Sequence, residues 1–242
     1  MFDDIQKEIE EMTGELDFNS LDSFESPADK RREEWLLSRR GIFTGSESIR
    51  LMGYEDKAEF PAGGITYATE KALECITIPE KAEKFSCETM EWGSNTEVEA
   101  CEQFMLKYNI NVVKYGDDQE LTKKGEHFGA TCDGHILDEQ GFLEGTIETK
   151  CPNSKTHLDY MRNINLSNFK KELTKYYWQI QTGLYATGGK YCYFISYDPR
   201  FLKEENRLFV LKIERNEDDI NKFRRRLSQA IKVKQEILDK YI

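Results

Sequence analysis

Apolar and polar residues alternate along this chain with two different periods, which predict helices and strands within one domain. Apolar residues recur at helical spacing in 90–108, and again in a final helix that Asn216 should cap and that runs to Tyr241. A long helix rich in aromatic residues is predicted at 166–187. Period-two alternation bounded by turn residues predicts strands at 110–116, 126–137, 142–151, 190–197 and 207–214. This order favours a mixed α/β or α+β fold with one central sheet flanked by helices.

Shorter elements are predicted before this region. The chain is expected to be helical from Arg31, and a second helix should span 46–52, where the Ser46 hydroxyl can accept a free backbone N–H at the helix start. The Gly63–Gly64 pair predicts that 53–64 is a loop, and a helix should follow at 65–76.

Composition and charge divide the chain into an acidic arm and one body. Residues 1–30 hold ten acidic and two basic residues, and so carry most of the net charge of −11. We expect this arm to be a solvated tail or a docking or autoinhibitory segment. Residues 31–242 have nearly balanced charge and enough apolar residues for one sizeable core.

The same composition excludes several classes of protein. No apolar run is long enough to cross a bilayer, and the N-terminus lacks the order of a signal peptide, so we expect a cytoplasmic protein without a membrane partner. The six cysteines are scattered singly and the three histidines lack ligand spacing. Zinc or iron–sulfur binding is therefore not expected.

The pattern that indicates chemistry lies between Gly129 and Pro152. Side chains alternate between the faces of a strand, so Glu148 and Lys150 should point the same way. If 126–151 forms a hairpin, Asp133 lies beside Glu148, and the two carboxylates repel each other unless a cation lies between them. Oxygen ligands favour magnesium, which can activate water and polarise a phosphate. Taken alone, this spacing occurs often by chance and favours a salt-bridged strand surface.

A further carboxylate lies on an otherwise apolar helix face. Glu97, Cys101, Phe104 and Tyr108 share one side of the helix predicted at 90–108. A buried carboxylate is costly without a cation or hydrogen-bond donors. Glu97 is therefore expected to have such a partner.

Six ordered segments resemble the phage lambda exonuclease and YqaJ-type viral recombinase family, which belongs to the PD-(D/E)xK nucleases with a restriction-endonuclease-like core. They span most of residues 31–215 in the family's order. They are SRRGIFTGSE near 38–47, EWGSNTEVEA at 91–100, ATCDGHI at 130–136, IETKCP at 147–152, YYWQIQTGLYAT at 176–187 and SYDPR at 196–200.

The resemblance implies roles for residues that match the family's motifs. Asp133, Glu148 and Glu97 would bind metal with the carbonyl of Thr149, and Lys150 would complete the catalytic group. A pocket for a 5′-terminal phosphate would contain Arg39, Ser46, Thr131, Gln179 and Tyr176. The chain departs from the family in having Thr131 for a serine, Gly45 for an alanine, and a longer loop between Asp133 and Glu148.

The same resemblance implies an activity and partners. We expect a processive 5′→3′ exonuclease on double-stranded DNA ends that uses one or two Mg²⁺ ions, with Mn²⁺ as a substitute, and leaves mononucleotides and a 3′ single-stranded tail. A ring-shaped homotrimer and a single-strand annealing partner are also implied, in the cytoplasm of a bacterial host if the protein is of phage origin. Alternatives are an endonuclease or structure-specific nuclease on the same core, and a non-catalytic DNA-end-binding protein.

Overall fold

The computed structural model describes residues 27–79 and 88–242, with side chains from 33–79 and 96–242. The chain divides into two units, residues 1–38 and 39–242. In the first unit, helix α1 (Pro27–Ser38) begins within the predicted acidic arm, so the last residues of that arm are helical. The rest of the predicted arm, residues 1–26, lies outside the described residues, as does most of the unassigned segment 77–88.

Strands of the second unit form two sheets within the described residues, where the sequence predicted one. Five strands have the order β2-β5-β6-β7-β8: β2 (Val112–Val113), β5 (Gly134–Leu137), β6 (Leu143–Lys150), β7 (Tyr191–Tyr197) and β8 (Leu208–Glu214). Three short strands have the order β1-β4-β3: β1 (Phe43–Thr44), β4 (Phe128–Ala130) and β3 (Thr122–Lys124). The pairs β1–β4 and β6–β7 are parallel and the others antiparallel, so both sheets are mixed.

The second sheet overturns the prediction of one strand at 126–137. Residues 128–130 pair with β1 and β3, whereas 134–137 pair with β2 and β6. The chain changes sheets at 131–133, and this change of partners cannot be inferred from alternation alone. The strand predicted at 110–116 is likewise reduced to β2, followed by a 3-10 turn at Gly116–Asp118.

Several helices also differ from their predictions. Residues 45–51 form a 3-10 helix whose N-cap is Thr44, so the prediction that Ser46 caps an α-helix was wrong. Helix α2 (Ala62–Ile76) includes Gly63 and Gly64, which were predicted to form a turn. The aromatic helix predicted at 166–187 is broken at Leu173 into α5 (Phe169–Glu172) and α6 (Thr174–Thr187).

Other elements agree with the sequence pattern to within a few residues. Helix α3 spans Glu88–Tyr108, and helix α4 (Ser154–Asn163) follows β6. Helix α7 (Glu217–Tyr241) starts where the Asn216 side chain accepts from the backbone N–H of Asp219, as predicted. Helix α6 ends at Gly188, whose φ of 84° is readily available to glycine.

Two apolar clusters cover opposite faces of the five-stranded sheet. Phe194 packs with Trp178 of α6 in one cluster, whereas Ile195 packs with Phe104 of α3 in the other. Alternation along β7 explains this division, because neighbouring residues point to opposite faces. Since Phe194 is paired laterally with Glu148, the Glu148 side chain lies on the face that α6 covers.

Among the described residues, no helix is both long and apolar enough to cross a membrane.

Candidate active site

The hairpin of β5 and β6 places Asp133 beside Glu148. Gly134 pairs with Ile147, and the backbone N–H of Asp133 donates to the Ile147 carbonyl over 3.2 Å. Asp133 therefore lies next to Glu148 at the end of β5, just outside the regular strand pairing. A register shift between Ile136 and Leu137 absorbs the irregularity nearer the turn, so the longer loop leaves the catalytic end aligned.

Lys150 lies among the oxygen atoms at the end of this hairpin. Its Nζ is 2.5 Å from Glu148 Oε1 and 2.9 Å from the Thr149 carbonyl oxygen. It is 4.0 Å from Asp133 Oδ2, which accepts the backbone N–H of Thr149 over 2.6 Å. Alternation brings the first contact about, because Glu148 and Lys150 are two residues apart on one strand.

Burial perturbs the titration of this cluster. Burial raises the pKa of Glu148 to about 8, Lys150 opposes that shift, and the nearby carboxylates of Asp133 and Glu97 add to it. The pKa of Lys150 is held above its usual value by Glu148 and Asp133, although burial acts in the opposite direction. Lys150 is therefore an ammonium at neutral pH.

Helix α3 presents Glu97 to the same cluster. Burial raises the pKa of Glu97 to about 7, the charge of Asp133 adds to the shift, and Lys150 opposes it. These mutual effects show that Glu97, Asp133 and Lys150 are within electrostatic reach of one another. Asp133, Glu148 and Lys150 thus lie together, and Glu97 is close enough for their charges to affect its pKa.

The oxygen atoms that surround Lys150 Nζ are those expected to hold a metal. Carboxylate and carbonyl oxygens are hard donors suited to Mg²⁺, and the ammonium contacts or approaches oxygens of Glu148, Thr149 and Asp133. In their present positions, no three His, Cys, Asp or Glu side chains in the described part of the chain are close enough together to hold a metal ion. The donor types, carboxylates together with a backbone carbonyl, nevertheless suit a divalent cation.

Arg39 and Ser46, the predicted phosphate ligands, are adjacent. Arg39 Nη2 donates to Ser46 Oγ over 3.4 Å, and Ser46 Oγ is 3.5 Å from Thr44 Oγ1. Burial lowers the pKa of the Arg39 guanidinium, while Tyr67 and Glu47 oppose that shift. A partly buried arginine beside two hydroxyl groups is a suitable donor set for a phosphate.

Parallel pairing of β1 and β4 directs Ser46 and Thr131 toward the same end of the small sheet. Thr44 pairs with Gly129, so the residues that follow, Ser46 and Thr131, leave the sheet side by side. Thr131 Oγ1 is buried and has no hydrogen-bond partner among the described residues. A buried hydroxyl without a partner costs free energy, and a bound phosphate oxygen would satisfy it.

Tyr176 and Gln179 lie one turn apart on α6, which packs along the segment 45–51. The Tyr176 ring centroid is 5.5 Å from Lys150 Nζ, so Tyr176 lies at the catalytic cluster. Gln179 is half-buried, and no hydrogen bond among the described residues joins its side chain to Arg39 or Ser46. The structure therefore joins Tyr176 to the cluster and leaves Gln179 without a contact that indicates a role.

Two residues near the site were not predicted as part of it. His157 and Tyr160 both lie on α4 against the face of β7 beside Glu148 and Lys150. Their spacing of three residues on a short helix after the ExK strand is the sequence signal that could have indicated them.

Comparisons with known proteins agree with this fold. Two crystal structures of an alkaline exonuclease from Laribacter hongkongensis, one in complex with dAMP, are each 27% identical to this chain, with a TM-score of 0.67. Each match covers 85% of this chain and 94% of the other. A phage-related exonuclease from Haemophilus somnus 129PT shares the fold, with a TM-score of 0.63 at 14% identity over 83% of this chain and 96% of its own.

The fold is thus the mixed α+β fold of phage-type exonucleases, as predicted. The model of the YqaJ-like viral recombinase domain matches residues 34–190, and the chain belongs to this family. A search of curated proteins found no match.

Proposed function

We propose that this protein is a metal-dependent exonuclease that degrades double-stranded DNA from a 5′ end and leaves a 3′ single-stranded tail. The observation that carries the proposal is the convergence of Asp133, Glu148 and Lys150, with Lys150 Nζ 2.5 Å from Glu148. The similarity to the alkaline exonuclease of Laribacter hongkongensis supports the activity. The paired Arg39 and Ser46 support the 5′ polarity, because together they can bind a terminal phosphate.

Each residue has a defined task in phosphodiester hydrolysis. Asp133, Glu148, Glu97 and the Thr149 carbonyl would hold Mg²⁺, or Mn²⁺ in its place, as one or two ions. The bound cation would supply Lewis-acid polarisation of the scissile phosphate. Lys150 would orient the attacking water or help to deprotonate it, and would stabilise the charge that develops on the phosphate.

The proposal extends to a ring of three subunits and to a partner protein. A ring of three subunits would keep the protein on DNA although the net charge is −11, because enclosure can replace a broad basic surface. We also propose a partner that anneals the single-stranded product and a bacterial cytoplasm as the site of action, and membership of a viral recombinase family supports both.

Digestion of end-labelled duplex tests the activity and its polarity. We expect blunt duplex with a 5′ phosphate to be degraded to mononucleotides in Mg²⁺, more slowly without the phosphate, and not at all in EDTA or by the Lys150→Ala variant. Closed circular duplex should remain intact, and its cleavage would favour an endonuclease instead. An intact linear 5′-phosphorylated duplex in Mg²⁺ would exclude the proposed function.

A further inference from the structure

Helix α4 covers the sheet beside the catalytic strand. In the parallel pairing of β6 and β7, Phe194 lies beside Glu148 and Ser196 beside Lys150. Two side chains of α4 contact these neighbours: His157 bonds to Ser196, and the Tyr160 ring packs at 6.0 Å from that of Phe194. The helix that follows Lys150 is therefore fastened to the strand that pairs with Lys150.

The His157 contacts define its tautomer. The imidazole is completely buried, with Nε2 2.9 Å from the Asn206 carbonyl oxygen and Nδ1 2.7 Å from Ser196 Oγ. Since a carbonyl can only accept, Nε2 carries the hydrogen and Nδ1 accepts from the Ser196 hydroxyl. Burial lowers the pKa of His157, which agrees with a neutral ring.

Hydrogen bonds of Arg200 also join the segment after β6 to the segment after β7. The Arg200 guanidinium donates to both carboxylate oxygens of Asp198, over 2.7 and 3.0 Å, and to the Pro152 carbonyl over 3.2 Å. These bonds give Arg200 a structural partner on the segment that leaves Lys150. Both sets join the connection after β6 to the connection after β7.

Lys150 needs such support because of its position. It is the last residue of β6, and the chain leaves the sheet through Cys151 and Pro152, which has no N–H to extend the ladder. The lateral neighbour Ser196 and the start of α4 therefore help to fix the Lys150 backbone. A displacement of about 1 Å at a catalytic group can lower a rate about 10²-fold.

We propose that His157 is a positioning residue for Lys150, acting through Ser196 and not through contact with DNA. The inference rests on the proposed nuclease function and adds a residue to its machinery. The Nδ1 bond to Ser196 is the operative one, because Ser196 is the residue laterally paired with Lys150.

Substitutions at both ends of this bond test the proposal. His157→Ala and Ser196→Ala remove it, His157→Asn retains an acceptor near the Nδ1 position, and His157→Gln reaches toward Asn206 instead. His135→Asn is the matched control, because His135 is a buried imidazole on β5 outside this contact. For each variant, kcat and KM on 5′-phosphorylated duplex, the thermal midpoint and the circular dichroism spectrum are measured.

We expect His157→Ala to lower kcat about 10- to 100-fold, as loss of a residue that orients catalytic ligands does, with KM unchanged. His157→Asn should recover most of the rate and His157→Gln little of it. The His157→Ala, Ser196→Ala double variant should be no slower than His157→Ala, because both changes remove one bond.

The proposal is overturned if the folded His157→Ala variant keeps its wild-type kcat, if its loss matches that of an equally destabilised His135→Asn, or if the two substitutions act additively. An inactive wild-type protein would instead exclude the nuclease function itself. The two failures are therefore distinguishable.

Discussion

The backbone N–H of Thr149 donates to Asp133 Oδ2 over 2.6 Å, which fixes the aspartate against the strand that carries Glu148 and Lys150. Asp133 lies where the chain passes from the small sheet to the large one, just before β5 begins. The bond from Thr149 orients the Asp133 carboxylate. A carboxylate oriented in advance is what a metal site requires.

Asp133→Asn should separate the effect of the Thr149–Asp133 hydrogen bond from the effect of the negative charge on Asp133. The amide oxygen can still accept from Thr149, so the fold should persist, but the lost charge should weaken Mg²⁺ binding and lower kcat about 10²- to 10³-fold. Calorimetric Mn²⁺ titration and duplex digestion measure the two effects. Asp138→Asn is the control, because Asp138 accepts backbone N–H groups in the hairpin turn. Wild-type metal affinity in Asp133→Asn would contradict a metal-binding role.

Arg39→Ala should reduce the preference for phosphorylated 5′ ends. Loss of a charge-assisted contact costs about 1.5–3 kcal/mol, so the apparent affinity for a 5′-phosphorylated end should fall roughly 10- to 100-fold. Affinity for an unphosphorylated end should change little, since its 5′ hydroxyl carries no charge to bind. Competition between the two duplexes measures the ratio. Arg50→Ala is a matched control, because Arg50 is engaged with Glu70 on the surface. An undiminished phosphate preference in Arg39→Ala would refute the assignment.

Glu97 should make the stability of the metal-free protein depend on pH. Its pKa in the folded state is raised from 4.5 to about 7, so the folded state holds a proton that the unfolded state has released. The free energy of unfolding should therefore fall as pH rises from about 4.5 to about 7. Mg²⁺ should reduce this loss, because a bound cation favours the charged carboxylate.

Urea unfolding across this pH range, with and without Mg²⁺, measures the effect. Glu97→Gln should reduce the dependence in the metal-free protein and leave the part that the raised pKa of Glu148 contributes. Glu102→Gln provides the control because Glu102 is exposed on the same helix. If Glu97→Gln leaves the pH dependence unchanged, Glu97 does not hold the proton.

Gly134→Ala should destabilise the hairpin end next to Asp133. A Cβ at this position would lie 2.5 Å from Val112 Cγ1 and 3.0 Å from Ile147 Cδ1, and both of those residues are buried. Overpacking of this kind costs about 1–3 kcal/mol, which the midpoint of urea unfolding would report. At Gly63 of α2 an added Cβ meets only ordinary contact, 3.6 Å from the Arg50 carbonyl, so Gly63→Ala should be neutral or stabilising. Equal midpoints for the two variants would disprove the steric argument.

The sequence by itself determined the features that depend on nearby residues. Alternation on one strand put Glu148 and Lys150 on the same side. The hairpin turn between β5 and β6 then brought Asp133 next to Glu148. Helical spacing likewise placed Glu97 on an inward face, and Asn216 marked the start of α7 through a bond to Asp219, three residues away. Such contacts span few residues, so periodicity and capping chemistry are sufficient to predict them.

Only the tertiary structure decided which distant segments pair. The strand expected at 126–137 is divided between two sheets. Its first half pairs with β1, more than 80 residues earlier, and its second half pairs with β6. Ser46 faces Arg39 from a 3-10 turn rather than capping a helix, and His157 reaches Ser196 only because β7 lies beside β6. Pairing across long separations depends on the packing of the whole domain, which no local pattern of residues contains.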